Sequence, residues 1–229
     1  MTEVDIIKRN VARHALDLIE PGMTIGLGTG STVEWLIKEL AERVAQGFVL
    51  TVVPTSLKTA ELVRKIGISV VDLNDVDALL LTIDGADEID PFGQLIKGGG
   101  GALLQEKIVA AASQELIIIA DYTKHVTQLG QFPLPVEVIP FGYKNVAKRI
   151  LASGECKSCI LREKADAPFI TDHGHYILDC NYERISNPME LDLFLHNIPG
   201  VVETGLFIHL ATRALIGFPD GRVEERKFR

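Results

Sequence analysis

The sequence of 229 residues predicts an α/β fold, in which a parallel-sheet domain carries an inserted α+β domain. Short apolar segments alternate with segments of helical apolar periodicity over the first two-thirds of the chain. Most of the short segments are apolar on both faces, which is typical of parallel strands buried between layers of helices. Near Gly130 the pattern changes to strand, helix, two strands, helix and strand, which indicates a second domain of another kind.

The composition is that of a soluble globular protein. Hydrophobic residues make up 47% of the chain and charged residues 24%, which is enough apolar material for a buried core. The net charge of −8 and the lack of a Lys/Arg-dense segment argue against nucleic acid or an anionic membrane as partner. The first residues lack a signal-peptide pattern, no apolar run reaches roughly 20 residues, and three cysteines form no disulfide framework. We therefore expect a cytoplasmic protein.

The helices and strands of the first domain follow from where apolar residues recur. Ile7, Val11 and Ala15 fall on one face of a helix predicted over 4–19, and Pro21-Gly22 ends it. The later elements are predicted in the same way: strand 23–28, helix 32–45, strand 49–53, helix 57–66, strands 69–72 and 78–83, helix 103–112 and strand 116–120. Ligands of such sheets bind beyond the carboxyl ends of the strands, so we expect the site in the loops there.

The second domain begins after Phe132-Pro133-Leu134-Pro135, which is typical of a linker. Its predicted elements are strand 136–139, helix 145–152, strand 158–162, a hairpin arm at 169–179, helix 188–197 and strand 201–207. This order predicts a ferredoxin-like unit. The segment 214–217 and Val223 return to the main sheet, so the predicted domains are 1–130 with 205–229, and 131–204.

The first of three strand-end loops is Gly26-Leu27-Gly28-Thr29-Gly30-Ser31-Thr32, where a strand turns into a helix. Glycines let a ligand approach the backbone, and the amides, dipole and hydroxyls at the helix start attract an anion. A tight turn with a Ser/Thr helix cap is the alternative. The spacing does not match the dinucleotide fingerprint, and the expected acid about 20 residues further on is missing. A single phosphate therefore fits better than a pyrophosphate.

The second loop, Asp84-Gly85-Ala86-Asp87-Glu88, comes directly after the strand predicted at 78–83. Acids at the end of a buried strand can transfer protons or hold sugar hydroxyls. A magnesium site and a solvated acidic turn are the alternatives. Because carboxylates repel a phosphate, the donors that bind one must come from elsewhere in the chain.

The third loop supplies donors, because Lys97 precedes four consecutive glycines, Gly98 to Gly101. Such a run is destabilising unless the backbone must bend sharply or leave its amides free, and amides beside a lysine can cradle a developing oxyanion. Glu106, about one turn into the following helix, is a candidate general base. A flexible loop is the alternative. Lys124, after the next strand, adds another cation.

Together these loops offer an anion cradle, a base, further acids and a lysine beside amides. An aldose–ketose isomerisation uses that set: a carboxylate removes the proton alpha to the carbonyl, donors stabilise the enediolate, and the proton returns to the adjacent carbon.

The sequence resembles the type A ribose-5-phosphate isomerases, and the resemblance covers essentially the whole chain. The matching stretches are GLGTGSTV (26–33), TIDGADEID (82–90), KGGGGALLQEKIV (97–109), IADYTKHV (119–126), PLPVEVIPF (133–141), NIPGVVETGLF (197–207) and ALIGFPDG (214–221). The resemblance implies a Rossmann-like domain with an inserted ferredoxin-like α+β domain. It implies an enzyme of the non-oxidative pentose phosphate pathway that interconverts ribose 5-phosphate and ribulose 5-phosphate as a homodimer or homotetramer. No cofactor and no metal are expected.

The resemblance also implies a role for each matched residue. Glu106 is the proton-transferring base, Asp84 and Asp87 assist ring opening and proton movement on the sugar oxygens, and Lys97 stabilises the enediolate. The further substrate contacts that it implies are Thr29, Gly30, Ser31 and Thr32 at the phosphate end, Gly85, Ala86, the amides of Gly98, Gly99 and Gly100, Lys124, and Lys8 of the first helix.

Three alternatives compete with these interpretations. Cys156 and Cys159, with His173, His175 and Cys180 downstream, suggest half of a zinc site, but their spacing matches no common zinc module, and small buried or edge residues are the simpler interpretation. A non-catalytic sugar-phosphate sensor would share the sheet and the phosphate loop, but would not require Glu106. A sugar-phosphate deaminase or lactonase would share the fold only.

Overall fold

The computed structural model describes residues 2–228. The helices of this range are α1 (Glu3–Leu16), α2 (Ser31–Ala45), α3 (Leu57–Lys65), α4 (Leu103–Ala111), α5 (Tyr143–Ala152) and α6 (Pro188–His196). Its strands are β1 (Thr24–Leu27), β2 (Thr51–Pro54), β3 (Ser69–Val70), β4 (Leu79–Asp84), β5 (Glu88–Ile89), β6 (Leu95–Ile96), β7 (Ser113–Asp121), β8 (Leu134–Val138), β9 (Ser158–Leu161), β10 (Glu163–Lys164), β11 (Ala167–Pro168), β12 (Tyr176–Asn181), β13 (Val201–Thr204), β14 (Leu206–Phe207), β15 (Arg213–Gly217) and β16 (Val223–Lys227). Within 2–228, no helix combines the length and the hydrophobicity that crossing a bilayer requires.

The chain forms two compact units. The first contains the residues up to Ala86, Gln105–His125 and those from Leu210 on, and it holds a seven-stranded sheet in the order β16-β15-β7-β4-β1-β2-β3. All neighbours in this sheet are parallel except β16, which is antiparallel to β15. The turns that follow β1, β2, β4 and β7 therefore lie along one edge, where ligands of parallel sheets bind.

Local sequence explains how α1 begins and what it buries. Thr2 Oγ1 accepts the backbone N–H of Asp5, and the Asp5 carboxylate accepts the N–H of Thr2, which completes a capping box. The apolar face that follows places Val11 in one core with Ile25 of β1 and Ile117 of β7, all fully buried. Burying an aliphatic side chain of this size stabilises the fold by about 1.5 to 3 kcal/mol.

The second unit contains Asp87–Leu104 and Val126–His209. Its four-stranded antiparallel sheet has the order β13-β8-β12-β9, and the elements β8, α5, β9, β12, α6 and β13 follow one another along the chain. This is the β-α-β-β-α-β order of a ferredoxin-like unit, so the predicted fold class is confirmed. Val136 and Leu178 of the sheet share a core with Ile150 of α5 and Leu195 of α6.

Three predicted elements of the second unit are wrong in detail. The second half of the supposed linker belongs to a buried strand, because Leu134 and Pro135 begin β8. The predicted hairpin arm at 169–179 lies earlier, between β10 and β11, and β12 begins only at Tyr176. The predicted strand 201–207 is two strands in two sheets. It breaks at Gly205, whose N–H donates to the Pro135 carbonyl at 2.7 Å and whose carbonyl accepts the Lys97 N–H at 2.9 Å.

Residues 87–104 group with the second unit, whereas the sequence pattern suggested the first. This stretch contains the antiparallel pair β5–β6, and β6 also pairs with β14 in the register Leu206↔Ile96. Strands of two residues are too short to produce a periodic apolar pattern, so the sequence carries no signal for them.

Candidate active site

The turn between β1 and α2 brings a cation to a helix N-terminus. Gly30 is the N-cap of α2 with φ of +125°, and as a glycine it has no side-chain oxygen to cap the helix. Lys8 of α1 reaches this point, where its Nζ donates to Ser31 Oγ at 2.8 Å. A helix N-terminus already carries partial positive charge, so a lysine beside it is unfavourable without an anion. Ser31 is exposed and Thr32 is buried, so the two predicted contacts differ in accessibility.

A cluster of four side-chain hydroxyls stabilises this turn by hydrogen bonds. Thr29 Oγ1 lies 2.9 Å from Thr55 Oγ1, 2.7 Å from Ser56 Oγ and 3.1 Å from Thr59 Oγ1. Thr59 in turn donates to the carbonyl of Gly28 at 2.8 Å. The hydroxyl of Thr29, a predicted substrate contact, therefore has a structural role. Sequence reasoning missed the other three hydroxyls, although two of them follow the second strand directly and lie at the same sheet edge.

Asp84 is the last residue of β4 and is fully buried. Its Oδ1 accepts the N–H groups of Thr29 at 3.1 Å and of Gly85 at 2.7 Å. A Cβ at position 28 would lie 1.9 Å from that oxygen, so only glycine fits there. Two backbone donors offset part of the cost of burying a carboxylate, and they hold the Asp84 side chain in one orientation.

Glu106 lies in the first turn of α4 and is 4% exposed. The helix is anchored in the first unit by its neighbours: Gln105 Nε2 donates to the Pro54 carbonyl at 2.9 Å, and a Cβ at Gly26 would lie 2.7 Å from Val109 Cγ1. A carboxylate at such a position is withdrawn from bulk water, which suits a proton-transfer group.

In the second unit, Lys97 and the glycine loop take up a defined conformation. Lys97 is 2% exposed, and its Nζ lies 5.4 Å from the centre of the Phe207 ring. The loop turns tightly, because the N–H of Gly101 donates to the Gly98 carbonyl at 3.0 Å. Gly98 and Gly101 have φ of +101° and +83°, a region that favours glycine. The segment therefore forms a tight turn that uses two of its glycines at positive φ.

The acidic loop divides its carboxylates between different backbone partners. Asp87 Oδ2 accepts the N–H of Gly99 at 2.8 Å, which joins two predicted substrate contacts. Glu88 accepts the N–H groups of Gly130 and Phe132 within the second unit, and burial raises the pKa of its carboxyl. Glu88 is thus a structural residue of that loop.

The other predicted substrate contacts Gly85, Ala86 and Lys124 follow strands of the main sheet. Gly85 and Ala86 follow Asp84 and are half-buried, and Lys124 ends a short 3₁₀ turn after β7. Of the residues weighed as zinc ligands, Cys156 and Cys180 are buried, His173 is exposed and His175 pairs with Glu137 at 3.0 Å.

Comparison with known families shows which protein family the chain belongs to. The family model described as ribose 5-phosphate isomerase A (phosphoriboisomerase A) matches residues 51–221. The chain belongs to this family. A model of the DeoR C-terminal sensor domain also matches, but only over residues 6–75, which ends before Asp84, Lys97 and Glu106. The sensor alternative thus shares the β1–α2 turn and the strands β1, β2 and β3.

Relatives of the family match along nearly the whole chain. The ribose-5-phosphate isomerase A of Ruegeria sp. (strain TM1040) is 50% identical over 99% of this chain and 88% of its own length. That of Bacillus mycoides (strain KBAB4) is 51% identical over 94% of this chain and 97% of its own. A solved D-ribose-5-phosphate isomerase in complex with phospho-erythronic acid has a TM-score of 0.93 at 38% identity, covering 99% of this chain and 100% of its own. The enzyme of Plasmodium falciparum has a TM-score of 0.92 at 38% identity, covering 97% and 98%.

Proposed function

We propose how the predicted site residues of this ribose-5-phosphate isomerase interconvert ribose 5-phosphate and ribulose 5-phosphate. The reaction moves a proton between C2 of the open-chain aldose and C1 of the ketose through an enediolate. Glu106 removes the C2 proton, and the C2–H electron pair becomes part of the enediolate. The same carboxyl returns the proton to C1. Meanwhile the C2 hydroxyl loses its proton and the C1 carbonyl oxygen gains one, so that the carbonyl group moves from C1 to C2.

The observation that supports Glu106 as the base is its burial. A carboxylate that is 4% exposed, in the first turn of a helix, is held away from bulk water and keeps the transferred proton from exchanging rapidly. The family model spans residues 51–221 and thus includes Glu106, Asp84, Asp87 and Lys97.

Lys97 and the amides of Gly98 to Gly100 stabilise the enediolate oxygens in this proposal. Donors that are oriented before the reaction act on charge as it develops, which is the usual source of a large rate enhancement. The tight turn of the loop and the hydrogen bond from the Gly99 N–H to Asp87 support a preorganised backbone. Asp84 and Asp87 assist ring opening and proton movement between the sugar oxygens.

The substrate phosphate binds at the start of α2 in this proposal. Thr29, Gly30, Ser31 and Thr32 line that end of the substrate, with Lys8 and Lys124 as cations. The bond from Lys8 to Ser31 supports this assignment, because it concentrates positive charge at a helix N-terminus.

The test is conversion of ribose 5-phosphate by purified protein in the presence of EDTA. Turnover of wild type with EDTA supports both the reaction and its independence from a metal ion. Binding of ribose 5-phosphate without turnover would instead support the sensor function, and activity restored only by added Mg²⁺ would identify the Asp84–Asp87 loop as a metal site.

We further propose that the enzyme is a cytoplasmic homodimer or homotetramer. Large apolar side chains are exposed on the second unit, among them Phe141 at 93%, Leu193 at 65% and Ile160 at 64%, and an assembly would cover such residues. Its three cysteines are free thiols, as is usual in a reducing compartment. Light scattering coupled to size-exclusion chromatography measures the assembly, and cell fractionation tests the location.

A further inference from the structure

An arginine of the second unit holds the carbonyl side of the glycine loop. Arg162 directly follows β9, and its Nη1 donates to the Gly98 carbonyl at 2.7 Å and to the Gly99 carbonyl at 3.2 Å. These two carbonyl groups share their peptide planes with the N–H groups of Gly99 and Gly100. No local pattern in the sequence singles out this arginine, because its partners are more than 60 residues earlier.

Arg162 is itself held in place by two neighbours. Its Nε donates to Asp179 Oδ2 at 2.9 Å and its Nη2 to Asp179 Oδ1, which is a bidentate pair on the neighbouring strand β12. The arginine side chain is 15% exposed and that of Asp179 is 28% exposed. The Phe169 ring centre lies 5.9 Å from the guanidinium carbon, and the same ring would lie 2.4 Å from a Cβ at Gly101. Such planar, bidentate pairing orients a guanidinium as a lysine ammonium cannot.

The geometry of the peptide bond connects these carbonyls to the proposed donors. In a trans peptide the carbonyl of one residue and the N–H of the next lie in one rigid plane and point in opposite directions. A hold on the carbonyls of Gly98 and Gly99 therefore sets the direction of the N–H groups of Gly99 and Gly100. Glycine backbones have the widest choice of conformation, so without such a hold these planes would rotate most freely. On the opposite side of the first plane, the Gly99 N–H donates to Asp87 at 2.8 Å.

We propose that Arg162, oriented by Asp179, is a positioning residue of this isomerase. It fixes the direction of the Gly99 N–H, which donates to Asp87, and of the Gly100 N–H, because it donates to the carbonyl oxygens of the same two peptide planes. Arg162 itself does not contact the substrate in this proposal. This proposal rests on the proposed role of the loop amides in stabilising the enediolate.

The test compares Arg162→Lys, Arg162→Met and Asp179→Asn with wild type in the same ribose 5-phosphate assay. We expect kcat to fall about 30-fold in Arg162→Met, because misdirected donors lose part of the stabilisation that an oriented donor gives. KM should stay within about threefold, since the phosphate and hydroxyl contacts are unchanged. Asp179→Asn should reproduce a smaller fall in kcat. Arg149→Met, at an exposed arginine of α5 in the same unit, should match wild type.

Arg162→Lys separates positioning from simple charge pairing. A lysine keeps an ion pair with Asp179 but cannot also span both carbonyls, so it should recover the thermal unfolding midpoint of wild type while kcat remains low. A further variant, Arg162→Ala, tests rescue by added guanidinium ions at concentrations that do not denature the protein. These ions should raise the kcat of Arg162→Ala and leave that of Arg149→Met unchanged. Folded Arg162→Lys and Arg162→Met variants with the kcat of wild type would overturn the proposal. Wild type that fails to turn over ribose 5-phosphate would instead overturn the proposed function.

Discussion

Gly28 lies directly against the carboxylate of Asp84, so closely that a Cβ at position 28 would stand 1.9 Å from Asp84 Oδ1. The two residues belong to the neighbouring strands β1 and β4, whose register pairs Leu27 with Ile83. Gly28, the first glycine of the β1–α2 turn, is therefore required by the carboxylate of Asp84, which in turn accepts the N–H of Thr29 in the same turn. The β1–α2 turn and the buried carboxylate of Asp84 therefore depend on each other for their positions.

Gly28→Ala should displace the Asp84 carboxylate and lower kcat about 100-fold, because a shift of about 1 Å in a catalytic group has effects of that size. The measurement is kcat for ribose 5-phosphate, with circular dichroism to verify folding. Gly47→Ala is the control: it sits at a φ of +94° with no neighbour within 4 Å, so it strains the backbone without touching the site. If both variants lost activity equally, general destabilisation would be the cause.

Glu106→Gln should leave the fold intact and lower kcat by about 1,000-fold or more, since an amide cannot accept the C2 proton. Proton transfer is measured directly by following deuterium from C2 of labelled ribose 5-phosphate to C1 of the product. Glu61→Gln on α3, where the side chain is 71% exposed, is the matched control and should behave as wild type. Activity of Glu106→Gln within a few-fold of wild type would place the base elsewhere.

Lys8→Met should raise KM for ribose 5-phosphate about tenfold or more, because a hydrogen bond to a charged group contributes about 1.5 to 3 kcal/mol. The reaction at C1 and C2 lies at the other end of the substrate, so kcat should change little. Inhibition by inorganic phosphate should weaken in parallel. Lys65→Met, on an exposed lysine of α3, tests whether any lost positive charge has this effect. An unchanged KM would remove Lys8 from the phosphate site.

His196→Gln should reduce thermal stability in mildly acidic solution more than at alkaline pH. His196 of α6 contacts Glu203 of β13 at 3.0 Å and Asp192 at 3.4 Å, and the hydrogen bond to Glu203 is the main reason why its pKa is raised. Because the folded-state pKa lies above the unfolded value of about 6.5, the stabilisation is complete below that value and is lost as the pH rises through the folded pKa.

The measurement for His196 is the unfolding midpoint of wild type and variant across this pH range. The difference between the two should shrink with rising pH. The exposed His173 of the same unit provides the control variant His173→Gln, which should show no such trend. A difference that grows with pH would contradict the assignment.

Much of this site could be predicted from local sequence. Glycines and hydroxyls at 26–32 indicated a ligand turn, and acids at 84–88 followed a buried strand, because turn chemistry and apolar periodicity act over a few residues. Thr55 and Ser56 could have been found in the same way, since they follow β2 at the same edge. The short β5–β6 pair could not, because strands of two residues leave no periodic pattern.

The sequence by itself determined the fold class, the family and the residue types available for catalysis, because each of these depends on short motifs and their order. Only the tertiary structure decided which residues meet. It set β1 beside β4, which brings Gly28 to Asp84, and β12 beside β9, which brings Asp179 to Arg162. Such pairs are separated by many residues, and their contact depends on strand order and register, which arise from packing of the whole unit rather than from any local segment.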